Sequence, residues 1–329
     1  MRRAGREPYP AGAGGTADPH GDPGSGRAPA PDTKDPGTKD PAVATPPSPR
    51  PAPDFAPPRP ARRHLGRRAV DVAGDLKDAC AAEWTKFRTV PGTWALTVAI
   101  VVLTVGLGAG AVAAVGHSAG ADQDMVRTSL TGVSLGQAVV AVLAVTVITG
   151  EYGGGMIRTT FAAMPRRQTV LAAKAAVLTA AVLAAATVAV AGSLVVGRLL
   201  LPGHGGHPPF GLADASTLRA AVGSVLYLAL IALLSLGVAT AVRDAGAATG
   251  AVLGLLYLFP VVAGMVTDPH WQRHLQQAGP MTAGLAVQTT TASGLDSLPI
   301  GPWPGLGVAA AWAVAALTGA AWLLRVRDA

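Results

Sequence analysis

The sequence of 329 residues contains a single cysteine, and only 5% of its residues are aromatic and 14% are charged. One thiol, Cys80, cannot close an intrachain disulfide or share a zinc ion with a second cysteine, which excludes a disulfide-stabilised secreted scaffold. The nearest approach to a metal site is His204-Gly-Gly-His207, where the two glycines give the imidazoles no fixed geometry. We therefore predict neither a metal nor a cofactor.

The sequence also lacks the motif G-x-x-x-x-G-K-[ST], with which P-loop proteins bind nucleotide phosphates. Its long apolar stretches contain no Asp, Glu or paired His. Proton- or sodium-coupled carriers place such groups near the membrane midplane, and an intramembrane enzyme would need them for catalysis. The chain is thus predicted to catalyse no covalent reaction, and the energy for any transport is expected to come from another polypeptide.

Half of the residues are apolar, but they are unevenly distributed along the chain. Residues 1–63 hold most of the 27 prolines and few large apolar side chains, so we predict a disordered cytoplasmic tail there. Residues 64–92 are predicted to contain an amphipathic helix on the membrane surface. Residues 93–329 are predicted to form the membrane domain.

Six windows after residue 92 contain no charged residue and approach the length of about twenty residues that crosses a bilayer as a helix. In lipid the backbone must satisfy its own hydrogen bonds, so each window is predicted to be helical despite its many valines. The windows are 93–115, 135–149 (or 131–149 with its interfacial residues), 175–196, 220–241, 245–266 and 304–324.

Basic residues are concentrated in alternate connections of this six-span pattern. Fourteen Lys and Arg fall on one side and four on the other. The connection between the second and third spans contributes Arg158, Arg166, Arg167 and Lys174. Because basic residues favour the cytoplasmic side, we predict a multi-pass protein of the cell membrane with both termini in the cytoplasm. Anionic lipid headgroups explain the net charge of +7 better than nucleic acid does, so no nucleic-acid partner is predicted.

Residues 70–90 have the spacing of a surface helix, which Pro91-Gly92 ends just before the first span. The apolar face is predicted to consist of Val72, Leu76, Cys80, Trp84 and Phe87. This helix either serves only as a membrane-surface anchor or also connects the membrane domain to a cytosolic partner.

The connection 150–168 contains three consecutive glycines, which permit a sharp reversal of the chain, followed by a short apolar patch. Its arginines are either topology determinants alone or part of a short helix that receives a push from a cytosolic motor. Glu151 at the end of a span is costly to desolvate, so we expect it to pair with Lys86, Arg88 or Arg158.

Two of these segments resemble ABC-2 type transporter permeases, in particular the short actinobacterial ones. Residues 83–89, EWTKFRT, are similar to the pattern E-W-x-K-L-R-[ST], although Phe87 replaces the usual Leu. Residues 151–160, EYGGGMIRTT, are similar to E-Y-x-x-G-x-I-R-x-T. The resemblance extends from about residue 75 to the C-terminus and implies an all-α integral membrane protein with six transmembrane helices and an amphipathic N-terminal connecting helix.

The resemblance also implies a function and a set of interacting residues. Such permeases form homodimers or heterodimers in the membrane lipid, are driven by a separate ABC ATPase subunit, and are expected here to act in export. The connecting helix would include Glu83, Trp84, Lys86 and Arg88. The segment that contacts the ATPase would include Glu151, Tyr152, Arg158, Arg166 and Arg167. The alternative is a multi-span membrane anchor or signalling protein that transports nothing.

Small residues recur at four-residue spacing in two of the predicted spans, which lets helix backbones approach closely in lipid. They are Gly106 and Gly110 in the first span, and Gly246, Gly250 and Gly254 in the fifth. Either a contact between protomers or packing within the chain would explain them. Pro260 is predicted to kink the fifth span. The segment Pro280–Gly284 is either part of a gate or lies beside a surface helix anchored by Trp271.

Overall fold

The computed structural model describes residues 72–115, 123–153, 167–200 and 210–326. The predicted tail, residues 154–166 of the second connection, and both histidines of the His-Gly-Gly-His pattern lie outside these ranges. Within them the chain is helical and contains no β-strand.

Six helical segments are long and apolar enough to cross a membrane, which confirms the predicted six-span, all-α architecture. They are Pro91–Val115, Met125–Gly150, Gln168–Leu200, Ala215–Val242, Ala245–Gly264 and Pro302–Val326. The fourth span is the most buried, at 61% of its apolar window, against 22% for the first and 17% for the fifth. The fourth span therefore forms the centre of the bundle, and the first, the fifth and the sixth, which is also 22% buried, lie at its periphery.

Helix α1, Val72–Thr89, precedes the bundle and confirms the predicted helix before the first span. It ends at Thr89, Val90 links the two helices, and Pro91 begins helix α2, the first span (Pro91–Val115). The Thr93 hydroxyl lies 2.7 Å from the carbonyl oxygens of both Phe87 and Val90, to which it can donate. Since these carbonyls lack partners within α1 at its C-terminal end, Thr93 stabilises the bend between the two helices.

The second span consists of two helices, α3 (Met125–Ser129) and α4 (Val133–Gly153), joined by a short turn. The turn contains Gly132, and Gly136 follows one helical turn later. A Cβ at Gly132 would overlap the carbonyl oxygen of Thr104 in the first span, and one at Gly136 would overlap the Thr104 hydroxyl. The first two spans therefore cross at a distance that only glycine permits.

The third span is helix α5, Arg167–Leu200, and it is longer at both ends than the predicted window 175–196. Lys174 consequently lies inside the helix and is buried, with 1% of its surface exposed. The prediction that Lys174 belongs to the connection was wrong. A lysine that has a buried partner can be part of a helix, so the first basic residue does not mark where the apolar helix starts.

The fourth span is α6 (Ala215–Val242), and the fifth consists of α7 (Ala245–Leu253), a π-helical turn (Gly254–Leu258) and α8 (Phe259–Gly264). Pro260 has no N–H to donate, so the carbonyl four residues before it cannot form its usual helical bond. The widened π turn is adjacent to this proline, and it is the irregularity that the sequence predicted as a kink. The Tyr257 hydroxyl in this turn donates to the Ser134 carbonyl oxygen at 2.5 Å.

Between the fifth and sixth spans the chain forms short helices before it enters α12, Pro302–Val326. They are α9 (Pro269–Ala278), α10 (Pro280–Gly284), a 3-10 turn (Leu285–Gln288) and α11 (Ala292–Asp296). In α9, Trp271 is 64% exposed, as expected of a surface helix. By contrast, Gly284 packs so closely on the Tyr227 ring that a Cβ would overlap it, so α10 and the 3-10 turn reach into the bundle.

Contacts between distant segments show which helix ends meet. The Arg325 guanidinium at the end of the sixth span donates to the Gln168 side-chain oxygen at the start of the third, at 2.9 Å. These two residues and α1 mark one end of the bundle, which we call the α1 end. Asp124, before the second span, contacts Thr290 after the fifth, and these residues mark the opposite end.

Candidate functional site

The α1 end contains a buried ion pair that joins α1 to the third span. The Lys174 ammonium nitrogen lies 2.6 Å from Oε2 of Glu83, and the side chains are 1% and 8% exposed, respectively. Lys86, one turn along α1, places its ammonium nitrogen 2.9 Å from Oε1 of the same carboxylate. Both carboxylate oxygens of Glu83 are thus bound by ammonium groups, which is the arrangement that makes burial of such a charge tolerable.

The face of α1 that packs on the bundle includes part of the predicted apolar face. Ala79, Glu83 and Phe87 are buried, at 3%, 7% and 9% exposure, and Glu83 faces Lys174 of the third span. Trp84, which the spacing assigned to the apolar face, is 45% exposed, and its ring stacks on that of Phe87 with 6.2 Å between the centroids. The expected contact of this apolar face with the membrane surface stays a prediction.

A cavity of about 290 Å³ lies beside the ion pair, between α1 and the second and third spans. Glu83, Lys86 and Lys174 form its charged end, and the rest of its wall is mostly apolar. The apolar part includes Phe87, Val90, Val147, Val177 and Leu178. The side chains of Glu83 and Lys174 are themselves buried, and in a less polar environment the attraction between their charges is stronger.

The predicted residues of the second connection are only partly within the described chain. The backbone of Glu151 and Tyr152 continues α4, and Arg167 begins α5, but their side chains lie outside the described residues. Arg158 and Arg166 lie outside altogether. The expected pairing of Glu151 with a basic residue therefore stays a prediction, and Arg88 is exposed on α1.

The predicted glycine pattern is found on the outside of the described chain. A Cβ at Gly106, Gly110, Gly250 or Gly254 would meet no described atom within 4 Å, and one at Gly246 would meet only Asp244, at 3.5 Å. Of the two explanations that the sequence left open, packing within the described part of the chain does not account for the first four.

The close helix contacts within the chain involve other glycines. Gly132 and Gly136 touch the first span, Gly237 touches the sixth, and Gly305 packs on the Ala283 carbonyl. The sequence analysis missed them, although Gly132-x-x-x-Gly136 has the same four-residue spacing as the glycines that it named. The spacing alone does not show which face of a helix meets a neighbour.

The opposite end is connected by hydrogen bonds around Asp124. Its carboxylate accepts from the Thr290 hydroxyl at 2.7 Å, from the Thr291 backbone N–H at 3.2 Å and from the Thr290 backbone N–H. It also caps α3 by accepting from the Arg127 backbone N–H at 3.0 Å. One side chain thus ties the start of the second span to the segment before the sixth.

Deeper in the bundle the polar contacts are neutral. The Tyr227 hydroxyl donates to the Gln137 side-chain oxygen, and both residues are fully buried. The Gln288 amide donates to the Ser224 hydroxyl at 3.0 Å and so ties the 3-10 turn to the fourth span. The described residues contain no cluster of three or more His, Cys, Asp or Glu side chains that could hold a metal ion.

Six apolar spans, of which the fourth is the most buried, together with a surface helix fastened to one end, define a multi-pass helical membrane protein. Residues 79–265, more than half of the chain, match the family described as ABC-2 family transporter protein. The chain therefore belongs to the ABC-2 transporter family, and it is a membrane transport permease that is not itself catalytic. Permeases of this family normally work with an ABC ATPase subunit. A search of curated proteins gave no match.

Proposed function

We propose that the chain is the permease subunit of an exporter of the cell membrane and that a separate ABC ATPase subunit drives it from the α1 end. The observation that carries this proposal is the position of α1. It begins before the first span, packs on the third, and exposes the side chains of Lys77, Asp78 and Arg88 away from the bundle. A helix that is attached on one face and charged on the other suits contact with a soluble partner.

The α1 end is assigned to the cytoplasm, and with it both termini of the chain. The assignment rests on the excess of fourteen basic residues over four on the α1 side of the six-span pattern.

Biotinylation of an Arg273→Cys variant in a Cys80→Ser background tests this orientation in intact cells, since Arg273 lies on an exposed helix at the opposite end. Labelling from outside is expected, and an Ala81→Cys variant at the α1 end should stay unlabelled. The reverse pattern would refute the assignment.

The contact with the ATPase is proposed to include α1 and the connection that follows the second span. Its residues are Glu151, Tyr152, Arg158, Arg166 and Arg167. ATP binding would draw the ATPase subunits together, and this surface would receive the displacement and change which side of the bundle is open. Export follows the family resemblance. The substrate class is left open, because walls of Ala, Val, Leu and Gly do not select one.

The same mechanism requires two permease chains, as a homodimer or a heterodimer. The first, fifth and sixth spans are the least buried, and in the first and fifth the faces with Gly106, Gly110, Gly250 and Gly254 have room for another helix at close range. We propose that these faces contact the second chain.

A Gly110→Cys variant in a Cys80→Ser background is expected to cross-link two chains, whereas Leu199→Cys, which is also exposed on the outside of the bundle, should not. Equal cross-linking of both would argue against this interface.

The central experiment reconstitutes the chain with its ATPase partner in proteoliposomes and measures transport-stimulated ATP hydrolysis. Glu151→Gln and Arg158→Ala should abolish the stimulation, because they change the surface that receives the displacement. Arg273→Ala, which removes the same charge at the opposite end, serves as the matched control and should leave it unchanged. Full stimulation in all three variants would refute the proposed contact.

A further inference from the structure

We propose that Lys174 is a positioning residue that makes α1 and the third span move as one unit. The inference that this unit transmits displacement rests on the function proposed above. The inference that the two helices are fastened together rests on the structure alone. Lys174 would then have a mechanical role, in addition to being one of many positive charges that set the orientation.

Glu83 and Lys174 form a direct, buried contact between α1 and the third span. The two residues are separated by 91 positions in sequence, and their charged atoms lie 2.6 Å apart in a buried contact. Moving α1 away from the third span would leave an ammonium group that is 1% exposed without this counter-ion. Because breaking a close contact between two buried charges is costly, small displacements of α1 are expected to carry the third span with them.

A second attachment point lies further along α1. The Thr93 hydroxyl in the first span donates to the carbonyl oxygens of Phe87, in the last turn of α1, and of Val90, which follows α1. Glu83 and Val90 are seven residues apart, which corresponds to about 10 Å of helix. Two fixed points at this separation prevent α1 from rotating about the bend at Pro91 unless the ion pair breaks.

The surroundings of the pair explain why it acts as a joint and not as a solvated surface contact. Lys86 binds the second oxygen of Glu83, while Phe87, Val177 and Leu178 line the adjoining cavity. Exposed ion pairs are weakened by solvent and salt, whereas a buried pair is screened much less. The joint should therefore remain intact at physiological ionic strength.

The first test measures distances between α1 and the third span by pulsed electron paramagnetic resonance. Spin labels are placed at Ala81→Cys and Val188→Cys, both exposed, in a Cys80→Ser background. The otherwise unchanged chain should give one narrow distance distribution. In Lys174→Met the population of separated helices should rise by at least roughly tenfold, because a buried counter-ion is removed. Lys77→Met, the same change on the exposed face of α1, should give the narrow distribution.

The exchanged pair Glu83→Lys with Lys174→Glu provides the rescue. It restores opposite charges at the same two positions, so the narrow distribution should return. If Lys174→Met does not accumulate in the membrane, accumulation of the exchanged pair alone supports the joint. A Lys174→Met distribution as narrow as that of Lys77→Met, or failure of the exchanged pair to rescue either property, would overturn the proposal.

The second test measures the ratio of substrate transported to ATP hydrolysed in the reconstituted complex. Lys174→Met should lower this ratio at least roughly tenfold while hydrolysis continues, since the ATPase would move α1 without the third span. An unchanged ratio together with separated helices would overturn the transmitting role and leave the proposed function standing. Absence of ATP-dependent transport in the unchanged complex would refute the proposed function, and the distance measurement would still decide the attachment.

Discussion

At the α1 end the Glu83 carboxylate of the surface helix binds the Lys174 ammonium group of the third span, whereas at the opposite end the Asp124 carboxylate binds hydroxyl and backbone N–H groups of Thr290 and Thr291. Removing Lys174 takes the closer of two ammonium groups from a buried carboxylate, which is costly, whereas a hydrogen bond to a charged group contributes about 1.5–3 kcal/mol and one between neutral groups about 1 kcal/mol. The difference teaches that the two ends should respond differently to force. The α1 end should move as a unit, and the opposite end should separate bond by bond.

The largest effect is expected at the ion pair. Lys174→Met should lower the free energy of unfolding by about 3–5 kcal/mol, because it leaves the Glu83 carboxylate without its closest counter-ion. Unfolding in mixed detergent micelles measures this change. Lys77 is an exposed lysine on α1, the helix that carries Glu83. Its replacement in Lys77→Met should leave the unfolding free energy within about 0.5 kcal/mol of that of the unchanged protein. An equal decrease of the unfolding free energy in both variants would show that the ion pair at the α1 end contributes no more than an exposed lysine does.

The next effect concerns close packing between the first two spans. Gly132→Val should cost about 3 kcal/mol, since its side chain would overlap the Thr104 carbonyl and force the helices apart. Gly110→Val is the matched control, because a Cβ there meets nothing within 4 Å in the described chain. Its unfolding free energy in the isolated chain should change little. Tolerance of valine at both positions would show that the crossing is looser than the structure indicates.

At the opposite end, Asp124→Ala should lower the unfolding free energy by about 2 kcal/mol, because hydrogen bonds to a charged acceptor are stronger than neutral ones. The exposed Asp214→Ala provides the comparison, since Asp214 makes no side-chain cap to its own helix. Hydrogen exchange at the Thr290 and Thr291 amides should accelerate in Asp124→Ala only. Unchanged hydrogen exchange at these two amides would contradict their hydrogen bonds to the Asp124 carboxylate.

The smallest effect is expected in the neutral interior. Tyr227→Phe removes one hydroxyl and leaves the buried Gln137 oxygen without this donor, which should cost about 1 kcal/mol. A loss as large as that of Lys174→Met would show that one neutral interior contact contributes as much as the ion pair at the α1 end.

The spans could be predicted from sequence because the absence of charge over about twenty residues is a local property. Their ends could not be predicted in the same way. Lys174 looks like a loop residue until its partner is known, and Glu83 lies 91 positions away in sequence. The burial of Glu83 was missed for the same reason, since periodicity identifies an apolar face and gives no indication of a buried carboxylate.

Glycine spacing shows a second limit of local patterns. The motif predicts that a helix can approach another closely, but it does not identify the neighbour. Gly106 and Gly110 meet no other described helix, while Gly132 and Gly136, with the same spacing, form the crossing of the first two spans. The distinction depends on how the whole bundle packs.

The attachment of α1 to the third span depends most directly on the coupling between Glu83 and Lys174, and a double-mutant cycle measures this coupling. Unfolding free energies are compared for the unchanged protein, Glu83→Gln, Lys174→Met and the variant with both changes. We predict an interaction energy of about 2–3 kcal/mol, at the upper end of the range for residues in direct contact. Additivity of the two single changes within about 0.5 kcal/mol would contradict the claim that this pair fastens α1 to the third span.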